Sequence, residues 1–526
     1  MSPARESHEV GGAGGWSGSA PPARIVALAW IGLLGAYALL AIGSCIVAAV
    51  VWGPWLDEFY SFYVTDPARP LGELWGYWVT DIHPFYFSFF TRALRALLPL
   101  SLIGLRLANL VPLLAILAMA GLYWRQDREG RLFVLLSLVL LLSSGALFDH
   151  FHDFRAYLTL LAASYGNALA TVYLFRAPPA RRVSIVLWLA SAAVLANSHY
   201  LGTLFALLQS AMLAAILAAQ GRGRLARGLA IGGAAMACPA VAYAVYQGGH
   251  ILSKTGGRFW VKSTTGEALT LIGDALWRQT GFNLAAYAAC LAAVAWAVGT
   301  GRFRPGRLAA ALRTGTAMPA LLAVIGAGTA FLLVLLLVNL HTPIFVARYL
   351  VPLNGPLCIA VSLAASSLGP SPRRVPLALL VLVNAAVVVG LARPADYRSG
   401  GQRWNATAAY IAGQVRACPT ARVLAVTIAP AASPERSQLR LAAYRYLARR
   451  HGFEVTALVP PQAVASDPRG PCPELFWIEH LFGVRHGPGH AADWMRRLGI
   501  DFTSDPQRTS TFWGESGGVI VVAPAG

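Results

Sequence analysis

The stretch Ile25 to Tyr60, IVALAWIGLLGAYALLAIGSCIVAAVVWGPWLDEFY, decides the fold. An uncharged run long enough to cross a hydrocarbon core of roughly 30 Å ends in two adjacent carboxylates, Asp57 and Glu58, set among aromatics. With this first run at 25 to 52, comparable runs recur at about 102 to 124, 131 to 148, 156 to 176, 182 to 199, 201 to 219, 227 to 247, 281 to 300, 316 to 340, 346 to 368 and 373 to 392. The expectation is an all-α polytopic membrane domain of about eleven transmembrane helices. Composition agrees: of 526 residues, 56% are hydrophobic and 12% charged, which excludes an ordinary soluble chain. The net charge of +19 comes almost entirely from arginines clustered in short connections between apolar runs. That pattern sets orientation in a membrane and argues against a nucleic-acid partner.

Orientation follows from those connections. Arg125 to Arg131, Arg176 to Arg182, Arg222 to Arg227, Arg302 to Arg313 and Arg373 with Arg374 fall on one side if the eleven spans hold, and Arg-rich short loops stay cytoplasmic. The N terminus is then inside and the C terminus outside. The apolar stretch 84 to 100 breaks this alternation if counted as a span, so it is expected to lie on the outer surface with Arg92 and Arg95 snorkelling. Residues 1–23, rich in Gly, Ser, Pro and Ala, read as a disordered cytoplasmic tail. Residues 24–392 read as the membrane domain, with long outer loops at 53–101 and 248–280.

After about 393 the pattern changes to short strands and amphipathic helices: Arg422 to Ile428, Pro434 to Arg450, Phe453 to Val459, Leu475 to Glu479, Ala491 to Leu498 and Gly518 to Val522. Residues 393–526 are therefore expected to form a soluble C-terminal α/β domain in the periplasmic or extracellular space. Six cysteines are too few for a disulfide framework, and Cys45, Cys238, Cys290 and Cys358 sit in apolar runs as small hydrophobes. Cys418 and Cys472 lie in the tail, where an oxidising compartment permits a disulfide; the sequence equally permits two thiols.

Ionisable residues at membrane depth are costly, and here they gather at the outer ends of spans. The first outer loop opens on Asp57-Glu58 and closes on Asp81-Ile82-His83-Pro84. The next outer turn carries Asp149, His150, His152, Asp153, Arg155 and Tyr157; the one after it reads Ser198-His199-Tyr200. Lys254 and Lys262, the only lysines in the chain, flank Arg258 in the second long loop, and His341 and Arg348-Tyr349 follow. Taken singly, an aromatic there is ordinarily an interfacial belt residue, and a lone Arg or His a snorkelling or capping one. Their company on one face is what points to a site.

At these residues the sequence resembles the GT-C superfamily of integral-membrane glycosyltransferases, which includes protein O-mannosyltransferases and the aminoarabinose transferases of lipid A. The resemblance rests on Asp57-Glu58 directly after the first span and on Asp81-Ile82-His83-Pro84, with Phe85 where the family carries a second proline. It continues through Arg155-Ala156-Tyr157, Ser198-His199-Tyr200, the segment Arg348 to Pro352, and an α/β tail. It implies an inverting transferase that moves a sugar from a polyprenyl-phosphate donor to an acceptor hydroxyl of a cell-envelope glycan, lipid or protein, at the outer face of a bacterial inner membrane. Asp57 and Glu58 are the expected catalytic pair, with Asp57 as base, because a phosphate leaves as a stable anion and one base suffices. Asp81, His83, Asp153, Arg155, His199, Tyr200, Lys254, Arg258, Arg348 and Tyr349 are the expected donor-phosphate and substrate-binding set, the cations serving the phosphate. No cofactor is expected. Asp57, Asp81, His83 and His150 have the chemistry of divalent-metal ligands, but the resemblance points to the metal-free branches.

Two other classes compete. A transporter or flippase of lipid-linked sugars would place polar residues or broken helices near the midplane and carry an internal repeat, and neither is visible here. A scaffold whose spans only anchor the tail leaves the concentrated carboxylates, histidines and cations unexplained.

Overall fold

A computed structural model describes residues 23–51, 54, 56–81, 83–175, 178–249, 266–270, 272, 317–366, 404–426, 434–459, 471–479, 509–514 and 517–523. The tail 1–22, the loop residues Lys254, Arg258, Trp260 and Lys262, the expected spans 281–300 and 373–392, the Arg302 to Arg313 connection and the expected helix 491–498 lie outside these residues.

The chain opens with α1 (Ala23–Val51), then crosses the first loop as three short helices, α2 (Leu56–Val64), α3 (Leu71–Thr80) and α4 (Tyr86–Leu97). Helix α4 is only 12 residues long, too short to cross a membrane, and bears exposed Phe89 and Phe90. Its arginines, however, do not snorkel. Arg92 donates to the carbonyls of Asp66, Pro67 and Arg69, and the buried Arg95 donates to the carbonyl of Phe62 and to Thr65 Oγ1, so both tie α4 to the turn after α2. Five-donor guanidinium groups can close such a turn where water is scarce.

The bundle follows: α5 (Leu102–Leu107), α6 (Leu110–Gln126), α7 (Arg131–Leu142), α8 (Gly145–Phe151), α9 (Tyr157–Leu174), α10 (Pro178–Ser198), α11 (Tyr200–Ala219), α12 (Gly223–Tyr246), α13 (Ala317–His341) and α14 (Val351–Ser366). Among the described residues four segments are long and apolar enough to cross a membrane: Leu102–Gln126, Tyr200–Ala219, Gly223–Tyr246 and Ala317–His341. The run expected as one span at 131 to 148 is instead bent by 55° between α7 and α8. Ser143 turns its hydroxyl back to the Val139 carbonyl and Ser144 caps α8 by accepting from the Leu147 amide, which ends one helix and starts the next.

Helix α9 is buried along its whole length and forms the axis of the bundle. With lipid outside, burial of apolar surface does not select helix partners, so polar contacts and close packing must. Asn167 Nδ2 donates to the Trp188 carbonyl at 2.9 Å, and Thr171 Oγ1 accepts from both Trp188 Nε1 and Gln209 Nε2 at 3.1 Å, joining α9 to α10 and α11. On the other side Gly355 of α14 lets the two backbones meet. Large exposed apolar side chains such as Leu39, Val111, Ile231 and Leu333 face outward.

The C-terminal residues form a five-stranded sheet of order β2-β1-β3-β5-β4, built from β1 (Arg422–Val426), β2 (Ala457–Val459), β3 (Glu474–Glu479), β4 (Thr509–Gly514) and β5 (Gly517–Val522). Strands β2, β1 and β3 run parallel, while β5 and β4 join antiparallel. One face (Val423, Ala425, Leu475, Trp477, Val519, Val521) packs on α15 (Trp404–Ala417) and α16 (Pro434–His451). The same apolar cluster takes in Phe59, Leu102, Leu105 and Phe154, so the sheet with its helices sits on the first loop. Cys418 and Cys472 form a disulfide that ties the end of α15 to the start of β3.

Candidate active site

One end of the bundle gathers the C-terminal end of α1, helices α2 and α3, and the turns between α8 and α9, α10 and α11, and α13 and α14. Asp57 stands in the first turn of α2, where an acidic side chain suits the helix dipole. Its carboxylate is about a third exposed and lies 3.7 Å from Arg348 Nη1. Its backbone carbonyl accepts from Arg155 Nη1 at 3.4 Å, and the same guanidinium nitrogen donates to Ser61 Oγ at 3.0 Å, one turn further along α2.

Glu58, the next residue, turns into the interior and is 1% exposed. Arg106 grips it with two parallel bonds, Nε to Oε2 at 2.6 Å and Nη2 to Oε1 at 2.5 Å, and the Phe154 amide donates to Oε2 at 3.0 Å. Arg106 also donates to the Ala49 carbonyl near the end of α1. The pair therefore pins α1, α2, α5 and the 153–155 turn at one point. Asn109 reinforces that turn by donating to the carbonyls of Phe151 and Asp153. Asp153 is buried, with Oδ2 3.9 Å from His150 Nδ1.

Asp81 caps the end of α3, and its Oδ1 lies 3.0 Å from His83 Nδ1. An ionised carboxylate can only accept, so Nδ1 carries the proton and Nε2 of His83 is left for a ligand. His199 caps α11 through Nδ1, which accepts from the Leu201 amide at 3.1 Å, so its proton sits on Nε2. That Nε2 is buried and has no partner among the described residues. The rings of His83 and His199 stand 4.8 Å apart, and the buried Tyr349 ring faces His199 at 6.3 Å.

Asp81, His83, Arg155, His199, Tyr60 and Ser61 border one cleft of about 20 Å³, room for roughly one water. Arg155 crosses its wall. Burial works against the Arg155 charge, but Asp57, Tyr157, Asp81 and Asp153 outweigh it and hold the guanidinium above its ordinary value. His152, by contrast, is pushed down to about 4 by burial and by Arg106, with Asp153 opposing, and its Nδ1–H donates to the Phe148 carbonyl.

Tyr200 does not border the cleft; its hydroxyl donates to Gln247 Oε1. Gln247 in turn donates to the carbonyls of Trp78, Val79 and Asp81, fastening the end of α12 to the end of α3. Lys254 and Arg258 lie outside the described residues. Arg106 and Gln247 are the residues that sequence reasoning missed. An arginine inside the apolar run Leu102 to Leu107 was the available signal for the first, since such a charge demands a partner. Nothing in the sequence singles out Gln247. Among the described residues no three His, Cys, Asp or Glu side chains converge as a metal-ligand set.

No family model and no curated protein matches the chain. Among solved structures it is similar to ArnT from Cupriavidus metallidurans bound to undecaprenyl phosphate, at 14% identity and a TM-score of 0.54, and to the same protein in the apo state, at 14% and 0.52. Each alignment covers 94% of this chain and 98% of that chain. At this identity the likeness concerns the fold alone, which is that of ArnT.

Proposed function

We propose that the chain is an inverting glycosyltransferase that uses a polyprenyl-phosphate-linked sugar at the outer face of a bacterial inner membrane, with an envelope hydroxyl as acceptor. The observation that carries this is the Asp57 carboxylate, the part of the Asp57-Glu58 pair left open, 3.7 Å from Arg348 and one helical turn before Ser61, which with Arg155, His83 and His199 borders the cleft. The fold shared with a protein crystallised with undecaprenyl phosphate supports the donor class.

In this reading Asp57 takes the proton of the acceptor hydroxyl as its oxygen attacks the anomeric carbon. The bond from that carbon to the phosphate oxygen breaks on the opposite side, and the electron pair leaves with the polyprenyl phosphate. Arg348 and Arg155 meet the growing phosphate charge, where preorganised cations in a dry site are most effective. His83 and His199 offer ring nitrogens to donor oxygens, and Tyr349 stands against the His199 ring. Lys254 and Arg258 remain proposed phosphate contacts. Glu58 is a positioning residue, because its oxygens are committed to Arg106 and the Phe154 amide. No metal takes part in this scheme, so transfer is expected to survive chelation.

The test is Asp57→Asn, assayed with a short-chain polyprenyl-phosphate sugar and extracted envelope acceptors. The amide keeps the shape and cannot take a proton. Turnover is expected to fall by about two to four orders of magnitude at unchanged melting temperature. Near-normal turnover would sink the assignment of the base and, with it, this reading of the site.

A further inference from the structure

The short helix α2 has two working faces. Tyr60, Ser61 and Val64 border the cleft described above, whereas Phe59, Phe62, Tyr63 and Asp66 line a separate and far larger cavity of about 880 Å³. Its opposite wall is α16, through Arg445, Tyr446, Arg449 and Arg450. The volume lies in the range of ligand pockets, roughly 300–1,000 Å³. Nothing in the proposed transfer uses it.

The charge in this cavity is one-sided. Of its two acidic neighbours, Glu73 is spent on Arg69 at 2.6 Å, and Asp66 accepts from the Ala68 amide within its own turn. Arg445 and Arg449 stand exposed one turn apart on α16, and among the described residues neither has a carboxylate partner. Arginines with free forks beside aromatic walls fit a phosphate or carboxylate carried on a polar, carbon-rich group.

The position of the cavity narrows the choice. Arg450 Nη2 donates to the carbonyl of Val50, in the last turn of α1, at 2.7 Å. The rim is thus tied to the end of an apolar helix, and there Val47, Val50 and Val51 are 40–45% exposed. A cationic pocket opening beside bare aliphatic surface at a helix end fits a molecule with an anionic head and apolar chains. We propose that this cavity binds the headgroup of an anionic lipid from the leaflet at the active-site end of the bundle. Arg445 and Arg449 hold the phosphate, Tyr63 and Phe62 flank the head, and the chains lie along α1. The site stands independently of the transferase reading, since it lies on the far face of α2. Its occupant bridges the first loop and α16, so binding should also stiffen that junction.

The probe is phosphatidylglycerol. Full-length protein is placed in phosphatidylcholine nanodiscs with and without it, and retained lipid is counted by native mass spectrometry beside the melting temperature. The wild type is expected to retain one phosphatidylglycerol more tightly than the double variant Arg445→Gln/Arg449→Gln and to gain thermal stability from it. Loss of these charged contacts should weaken retention about tenfold or more per arginine. Arg445→Lys/Arg449→Lys should keep part of the binding, as point charges replace forks. Equal retention by wild type and double variant, or equal retention of phosphatidylcholine, overturns the site. Displacement by inorganic phosphate as effective as by phosphatidylglycerol overturns the lipid as its occupant. Should the double variant fail to fold, Arg449→Gln alone gives the same reading with a smaller change.

Discussion

Asp57 and Glu58 share a peptide bond and have opposite surroundings, because successive residues of a helix point about 100° apart. Asp57 meets the cleft side of α2; Glu58 meets Arg106 in the interior. The consequence is a separation of phenotypes. Glu58→Gln leaves the Arg106 guanidinium buried without its counter-charge, and breaking such a pair typically costs about 3–5 kcal/mol. The melting temperature of Glu58→Gln should therefore fall well below that of wild type, with transfer lost through misplacement of α2, while Asp57→Asn melts normally. A Glu58→Gln protein that melts like wild type but cannot turn over would instead make Glu58 a reacting group. From the sequence Asp57 is the base, with Glu58 kept beside it in the catalytic pair. The arginine 48 residues away is what gives Glu58 a separate role, and its own clue lay in sitting uncompensated in an apolar run.

At the scale of elements, hydropathy located the apolar helices among the described residues and missed their interruptions. The run 131 to 148 is apolar throughout, yet it breaks at Ser143-Ser144 because two hydroxyls satisfy the freed backbone groups, which a window average cannot register. The same averaging hides close helix contacts. Gly355 in α14 lies so near α9 that a Cβ there would stand 2.5 Å from the Tyr165 amide nitrogen and Cα. Backbone cannot yield as a flexible side-chain end would, so Gly355→Ala must separate the two helices. Overpacking of this kind costs about 1–3 kcal/mol. The expected result is a lower melting temperature in detergent, with Gly328→Ala, whose Cβ would meet only the Leu353 side chain at 3.4 Å, as a control that changes little. Equal melting of both variants would mean that α9 and α14 do not approach as closely as described. Strand β4 was missed for another reason: Thr509 to Gly514 is a short run whose pairing partner, β5, begins only three residues after it ends.

For the whole molecule the chemistry depends on which way it faces, and the disulfide and the loop charges bear on it separately. The bond between Cys418 and Cys472 suits an oxidising compartment, which predicts that the sheet lies outside the cytoplasm. The charge of the 302–313 connection predicts that its arginines lie inside. These two statements agree only if an odd number of spans separates the connection from the sheet, as the runs 316 to 340, 346 to 368 and 373 to 392 provide. Single cysteines decide it, introduced into a background in which the exposed Cys238 and also Cys290 are replaced by alanine and the buried Cys45 and Cys358 are kept. Glu454→Cys, exposed just after α16, should react with an impermeant maleimide in intact cells, whereas a cysteine at Arg304 should react only after permeabilisation. Because Asp57, the cleft and the docked sheet lie at the same end of the bundle, labelling of Glu454→Cys from outside carries the active site to the outer face with it. Labelling only after permeabilisation would put the site in the cytoplasm, where sugars arrive on soluble nucleotides, and the polyprenyl-phosphate donor would lose its reason.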